Sequence, residues 1–206
     1  MDPRLLEAIR NLCSSGCQGN SSDFSSWVAF ENEATFSPSE VASVFAQLET
    51  EGLVIQTSEI PGEYRLAGTP DIATSVEYEV SGDIKDSPIQ LVRSRLDAFL
   101  RKHSILEEQI IDLSIGTTEA MENAVKYSDH GRIQVAYELS PDRVFNIKIV
   151  NSLGEIAPEK DIASGKYSGT ATLMRGMMIM VKLFDQMDID IKEDESVAVF
   201  TATRKL

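Results

Sequence analysis

Glu119, Asn123, Lys126 and Tyr127 are spaced i, i+4, i+7 and i+8, which places them on one face of any helix that contains them. On such a face a carboxylate takes a proton, an amide oxygen ligates a hard cation and an ammonium meets phosphate. Mg²⁺ in phosphate sites is commonly held by one or two protein oxygens together with phosphates and water. One helix face therefore offers a base, a metal ligand and a phosphate contact. The same spacing also describes an ordinary solvated face, with Glu122 and Lys126 as an i, i+4 ion pair. Spacing alone favours that plainer reading.

The elements that would position this face are legible from periodicity and turn chemistry. Ser104 to Glu107 reads as a capping box opening a long helix to about Tyr127, with Leu106, Ile110, Leu113, Ala120 and Ala124 facing a core and His130-Gly131 stopping it. Before it, Ser75 to Val80 alternates as a strand, and Ser87-Pro88 opens a helix with the stripe Ile89, Val92, Leu96, Phe99 and Leu100. After it come strands Ile133 to Leu139 and Val144 to Val150, a Met-rich helix from about Thr172 to Phe184, and the strand pair Asp188 to Lys192 and Val197 to Thr203. The order β-α-α-β-β-α-β-β predicts a two-layer α/β sandwich, a mixed, mainly antiparallel sheet with helices on one face.

Gly68-Thr69-Pro70-Asp71 is loop chemistry and marks a boundary between residues 1–70 and 71–206. Upstream of it a helix spans Arg4 to Leu12, and a second surrounds Trp27. Ser37-Pro38-Ser39-Glu40 forms a capping box for a third helix, striped by Val41, Val44, Phe45 and Leu48 and ended by Gly52. Strands Leu53 to Thr57 and Glu63 to Ala67 flank Pro61-Gly62. This is the outline of a winged helix.

Charge restricts the partners. The net charge is −14, and no Lys or Arg lies between Arg10 and Arg65, where Asp23 and seven glutamates lie. Such a surface repels phosphate backbones and anionic lipid. A recognition helix needs basic residues for phosphate contacts; the helix from Pro38 carries Glu40, Glu49 and Glu51 instead. The winged module therefore reads as a protein-interaction or dimerisation element. No run of 18 apolar residues is present and the N-terminus lacks a signal pattern, so a cytoplasmic protein is expected. Cys13 and Cys17 fall short of a four-ligand zinc set and read as reduced thiols. Five of the seven methionines lie between Met174 and Met187, where core filling is the plainer reading and a soft partner-binding face the sharper one.

The run Glu119-Ala-Met-Glu-Asn123-Ala-Val-Lys126-Tyr127-Ser128 resembles the N-box of the GHKL ATPase superfamily, which includes histidine kinases, gyrase-type ATPases and the anti-sigma-factor serine/threonine kinases of bacterial partner switching. The last group is the most similar, being short with the same opening strand and helix. The resemblance spans Ser75 to Leu206, and the stretch from Gly176 through Asp185 to Ile189 is similar to the family's second glycine-box helix and following strand. The resemblance implies ATP and Mg²⁺ as cofactors. It makes Glu119 the base that helps a Ser or Thr hydroxyl attack ATP, makes Asn123 the Mg²⁺ ligand and puts Lys126 near the phosphates. It further implies a regulatory protein partner, a sigma factor or small antagonist protein, and a homodimer through the first helix of the C-terminal part.

Two segments depart from the family pattern. Where it has Asp-x-Gly-x-Gly at the adenine site, this chain has Asn151-Ser-Leu-Gly154-Glu155. An amide oxygen still accepts a hydrogen bond, without the charge assistance of a carboxylate. Gly154 serves with a one-residue slip. Where the family has Gly-x-Gly opening a helix, the chain has Met174-Arg175-Gly176, keeping one glycine; glycines let backbone approach phosphate closely. Ser168-Gly169-Thr170 stands as a residual lid with Thr170 near phosphate, Arg175 as an added charge or a solvated helix residue, and Ser196 at an adenine-side Thr position. Three functions stay open: an ATP-using anti-sigma-type kinase, a catalytically inactive scaffold of the same fold, and a winged-helix transcription regulator with a ligand-sensing C-terminal domain.

Overall fold

The computed structural model describes residues 2–31, 34–58, 60–154 and 170–206, with backbone alone for residue 31 and for 170–175. The N-terminal part comprises α1 (Pro3–Ser14), β1 (Gly19–Asn20), α2 (Ser21–Glu31), α3 (Pro38–Thr50), β2 (Val54–Gln56) and β3 (Glu63–Leu66). Its three strands form an antiparallel sheet in the order β1-β3-β2, a winged-helix-like arrangement. The capping box of α3 forms: the Glu40 amide donates to Ser37 Oγ at 3.3 Å, and the Ser37 amide donates to Glu40 Oε2 at 2.8 Å. Gly52 ends the helix with φ 72°, a left-handed turn that costs glycine little. Strand β1 was not foreseen, because two residues in a Ser- and Gly-rich loop carry no alternation.

The C-terminal part runs β4 (Ser75–Ser81), α4 (Pro88–Lys102), α5 (Glu107–Tyr127), β5 (Ser128–Leu139), β6 (Val144–Leu153), α6 (Thr170–Leu183), β7 (Gln186–Lys192) and β8 (Val197–Lys205). The sheet order is β4-β5-β6-β8-β7, and each of its four ladders is antiparallel. Alternate residues of the strands, among them Val76, Tyr78, Val80, Ile133, Val135, Phe145, Ile147 and Phe200, are buried beneath the helices. The result is a two-layer α/β sandwich behind a small winged-helix-like part.

One expected local signal fails. Ser104 does not cap α5. It takes φ 53° and its amide bonds back to the Arg101 carbonyl at 3.0 Å, so it terminates α4. Leu106 holds the cap position of α5 without a side-chain hydrogen bond.

Helices α5 and α6 pack together through one glycine from each. A Cβ on Gly116 would lie 2.6 Å from Phe184 Cε2, and a Cβ on Gly176 would lie 2.7 Å from Glu119 Oε2. The N-terminal part closes on the other side of the helix layer, where α2 packs on α4. Trp27 Nε1 donates to Ser94 Oγ at 3.0 Å, and the buried Arg95 donates through Nη2 to the Ser15 carbonyl at 3.0 Å. Lys102 and Glu63 pair at 2.8 Å with both side chains nearly covered. One apolar core runs through both parts. Along α4 only Gln90, Arg93 and Arg101 are exposed, so the helix expected to dimerise is mostly covered within the chain.

Candidate functional site

Helix α5 delivers the predicted face. Glu119, Asn123, Lys126 and Tyr127 are all half-buried on it. Their turns stay in register because α5 runs unbroken to Tyr127, with Ala120, Met121, Ala124 and Val125 anchoring the opposite side in the core. Lys126 Nζ lies 5.1 Å from the Tyr127 ring centroid, so the ammonium is held near the last turn.

Where α5 ends, the chain turns straight into β5. The ladder between β5 and β6 breaks register between Ser128 and Ile133, an irregularity of the kind that re-aims side chains beside functional sites. Ser128 Oγ accepts from the His130 amide at 3.1 Å and steadies this turn.

Two sequence-distant segments meet α5. Gly154, at the exit of β6, donates its amide to the Tyr127 carbonyl at 3.2 Å. A Cβ there would lie 3.1 Å from the Ser128 carbonyl oxygen, so the close approach uses the absent side chain. Gly176 meets α5 at Glu119, as above. The face is thus bordered by glycine near Glu119 and again past Tyr127.

Asn151 lies on the sheet with 5% of its surface exposed. Its Nδ2 donates to the Ser152 carbonyl at 3.2 Å. Its cross-strand neighbours are Ile133 and Ala198. Ser196, expected at the adenine side, instead forms an exposed turn with φ 51°, its carbonyl accepting from Leu153. Ala198, which has no hydroxyl, occupies the position beside Asn151. Strand register decides this, and a two-residue offset is invisible in composition.

The second glycine segment also sits differently from the expectation. Helix α6 starts at Thr170, so Gly176 lies about two turns inside it and not at its opening. Thr170 opens the helix and Arg175 precedes Gly176, but the side chains of both lie outside the described residues, as do Ser168, Gly169 and Glu155 in full.

The donor set fits a nucleotide with a hard cation. Glu119 and Asn123 supply oxygens, Lys126 a cation and Asn151 a buried amide, Gly154 allows the close approach of the Ser128 backbone, and Gly176 leaves room for the Glu119 carboxylate. Among the described residues no helix is long and apolar enough to cross a membrane.

No curated protein matches the chain. Among solved structures, the RsbU and RsbW domains of Rv1364c from Mycobacterium tuberculosis align at 19% identity over 70% of this chain and 34% of that one, with a TM-score of 0.49. The SiaB–SiaC complex from Pseudomonas aeruginosa aligns at 12% identity over 78% of this chain and 95% of that one, with a TM-score of 0.41. The sequence model of the histidine kinase-like ATPase domain matches residues 85–201, from just before α4 into β8. That match covers more than half of the 206 residues and includes the whole Glu119–Tyr127 face, and the chain therefore belongs to the family of histidine kinase-like ATPase domains.

Proposed function

We propose that this chain binds ATP with Mg²⁺ on α5 and acts as an anti-sigma-factor-type serine/threonine protein kinase in bacterial partner switching. The observation that carries the reading is the convergence of Gly154 and Gly176 on the helix of Glu119 and Asn123. Asn123 holds the cation through Oδ1, and Lys126 balances phosphate charge. Asn151 accepts from the adenine amino group, with Gly154 beside it, while Thr170 and Arg175 border the phosphates. Glu119 takes the proton from an attacking Ser or Thr hydroxyl of a regulatory protein, a sigma factor or its small antagonist. Bound ATP and Mg²⁺ supply the phosphoryl group and the charge neutralisation, a reaction catalysed mostly by positioning and electrostatics. The winged-helix-like part, with no Lys or Arg between Arg10 and Arg65, serves protein contact and not DNA.

A second reading, a scaffold of the same fold without catalysis, is favoured by one observation. Gly176 lies inside α6, whereas only the first four amides of a helix are free to meet phosphate. Titration calorimetry with ATP and Mg²⁺ separates the two. The kinase reading expects binding by the wild type that weakens about tenfold or more in Asn123→Ala, in line with the loss of a metal-orienting group. Absence of binding by the wild type sinks it in favour of the scaffold.

A further inference from the structure

Glycine in the interior of a helix is costly, since only proline is a poorer helix former. Gly176 occupies such a place, and its amide lies too deep in α6 to be one of the free donors at the helix start. Its φ is not in the left-handed region, so backbone conformation does not demand glycine either. What the position does demand is space: a Cβ would stand 2.7 Å from Glu119 Oε2 and 3.7 Å from Glu119 Cδ. Gly176 itself is buried, so the carboxylate rests directly on the helix backbone.

We infer that Gly176 is a positioning residue for Glu119: its missing side chain opens the seat on α6 that fixes where the carboxylate points. This rests on the reading of Glu119 as the base. It assigns Gly176 a task different from phosphate contact. Oε2 is the far end of a flexible side chain, so a methyl group at 176 displaces the carboxylate without breaking the helix pair. A displacement of about 1 Å at a reacting group costs roughly a hundredfold in rate. The binding of nucleotide, which uses Asn123 and Asn151, is left in place.

The test uses the full chain with Gly176→Ala, Glu119→Asp and the double substitution. Carbon-13 NMR of the side-chain carboxylates, with Glu119→Gln for assignment, reads the seat directly. Gly176→Ala is expected to shift the Glu119 carboxyl resonance while the melting temperature stays or rises, because alanine is the better helix former. With a phosphoacceptor protein, kcat falls by at least about tenfold while KM for ATP changes little. The methyl group costs less in the Glu119→Asp background, where the carboxylate is one methylene shorter, and this non-additivity reports contact between the two positions. An unmoved Glu119 resonance overturns the inference, and so does a loss confined to ATP affinity. If the wild type neither binds ATP nor transfers phosphate, the kinase reading fails, and the resonance still decides whether Gly176 seats Glu119.

Discussion

Replacing Arg95 with methionine tests how the winged-helix-like part is joined to the ATPase fold. Arg95 is 4% exposed, its Cζ stands 3.4 Å from the centroid of the Tyr78 ring, and its Nη2 donates to the carbonyl and hydroxyl of Ser15 at 3.0 and 3.3 Å. A desolvated cation–π contact contributes about 2 kcal/mol. A hydrogen bond from a charged donor contributes roughly 1.5–3 kcal/mol. Methionine recovers part of the packing and removes the desolvation cost of the guanidinium, which offsets some of the loss. The expected net destabilisation is about 2–4 kcal/mol. Urea unfolding followed by fluorescence measures it, since Trp27 is the only tryptophan and its indole bonds to Ser94, the residue before Arg95. Arg93→Met on the exposed side of α4 is the control, expected to stay within about 0.5 kcal/mol. A loss below about 1 kcal/mol in Arg95→Met would refute the assignment of Arg95 as the buried link between Ser15 and Tyr78.

Two further outcomes follow from burial. Desolvation pushes the Cys13 thiol from 9.0 up to about 12, pushes Tyr78 up to about 12 and raises Tyr137 well above its ordinary value. These groups are raised in the folded chain, so the unfolded chain loses their protons first. The stability they contribute is complete below about pH 9 and is lost as pH climbs towards about 12, by up to about 1.4 kcal/mol per pH unit per group. Burial lowers Lys102, which works in the opposite sense below 10.5, but as one group against three. Urea midpoints measured across the alkaline range check the net fall, and a flat or rising profile contradicts it. Gly116→Ala drives a methyl group to within 2.6 Å of the buried Phe184 ring. Overpacking costs about 1–3 kcal/mol and improved helix propensity returns about 1, so thermal melts should show a net loss of up to about 2 kcal/mol; a raised melting temperature would mean that α5 and α6 are not locked at this contact.

The sequence by itself determined what is local and periodic. Alternation in Val76, Tyr78 and Val80, the stripe of Val41, Val44, Phe45 and Leu48, and the Ser37 capping box each act within about two turns or one strand, and each formed where expected. The Glu119–Tyr127 face followed from helical spacing alone. What depends on a neighbour distant in sequence was not legible. Ser104 through Glu107 has the letters of a cap, yet the left-handed end of α4 claims Ser104. The strand register placed Ala198, not Ser196, beside Asn151. Nothing along the sequence marks Arg95, and it is the closure of α1 and β4 around it that buries its charge against Ser15 and Tyr78. Gly176 reads as a remnant of a phosphate loop until the packing of α6 on α5 puts the Glu119 carboxylate where its side chain would be. Propensity and spacing act along the chain, whereas seats, registers and buried charges exist only between segments, and only the tertiary structure brings those segments within reach of each other.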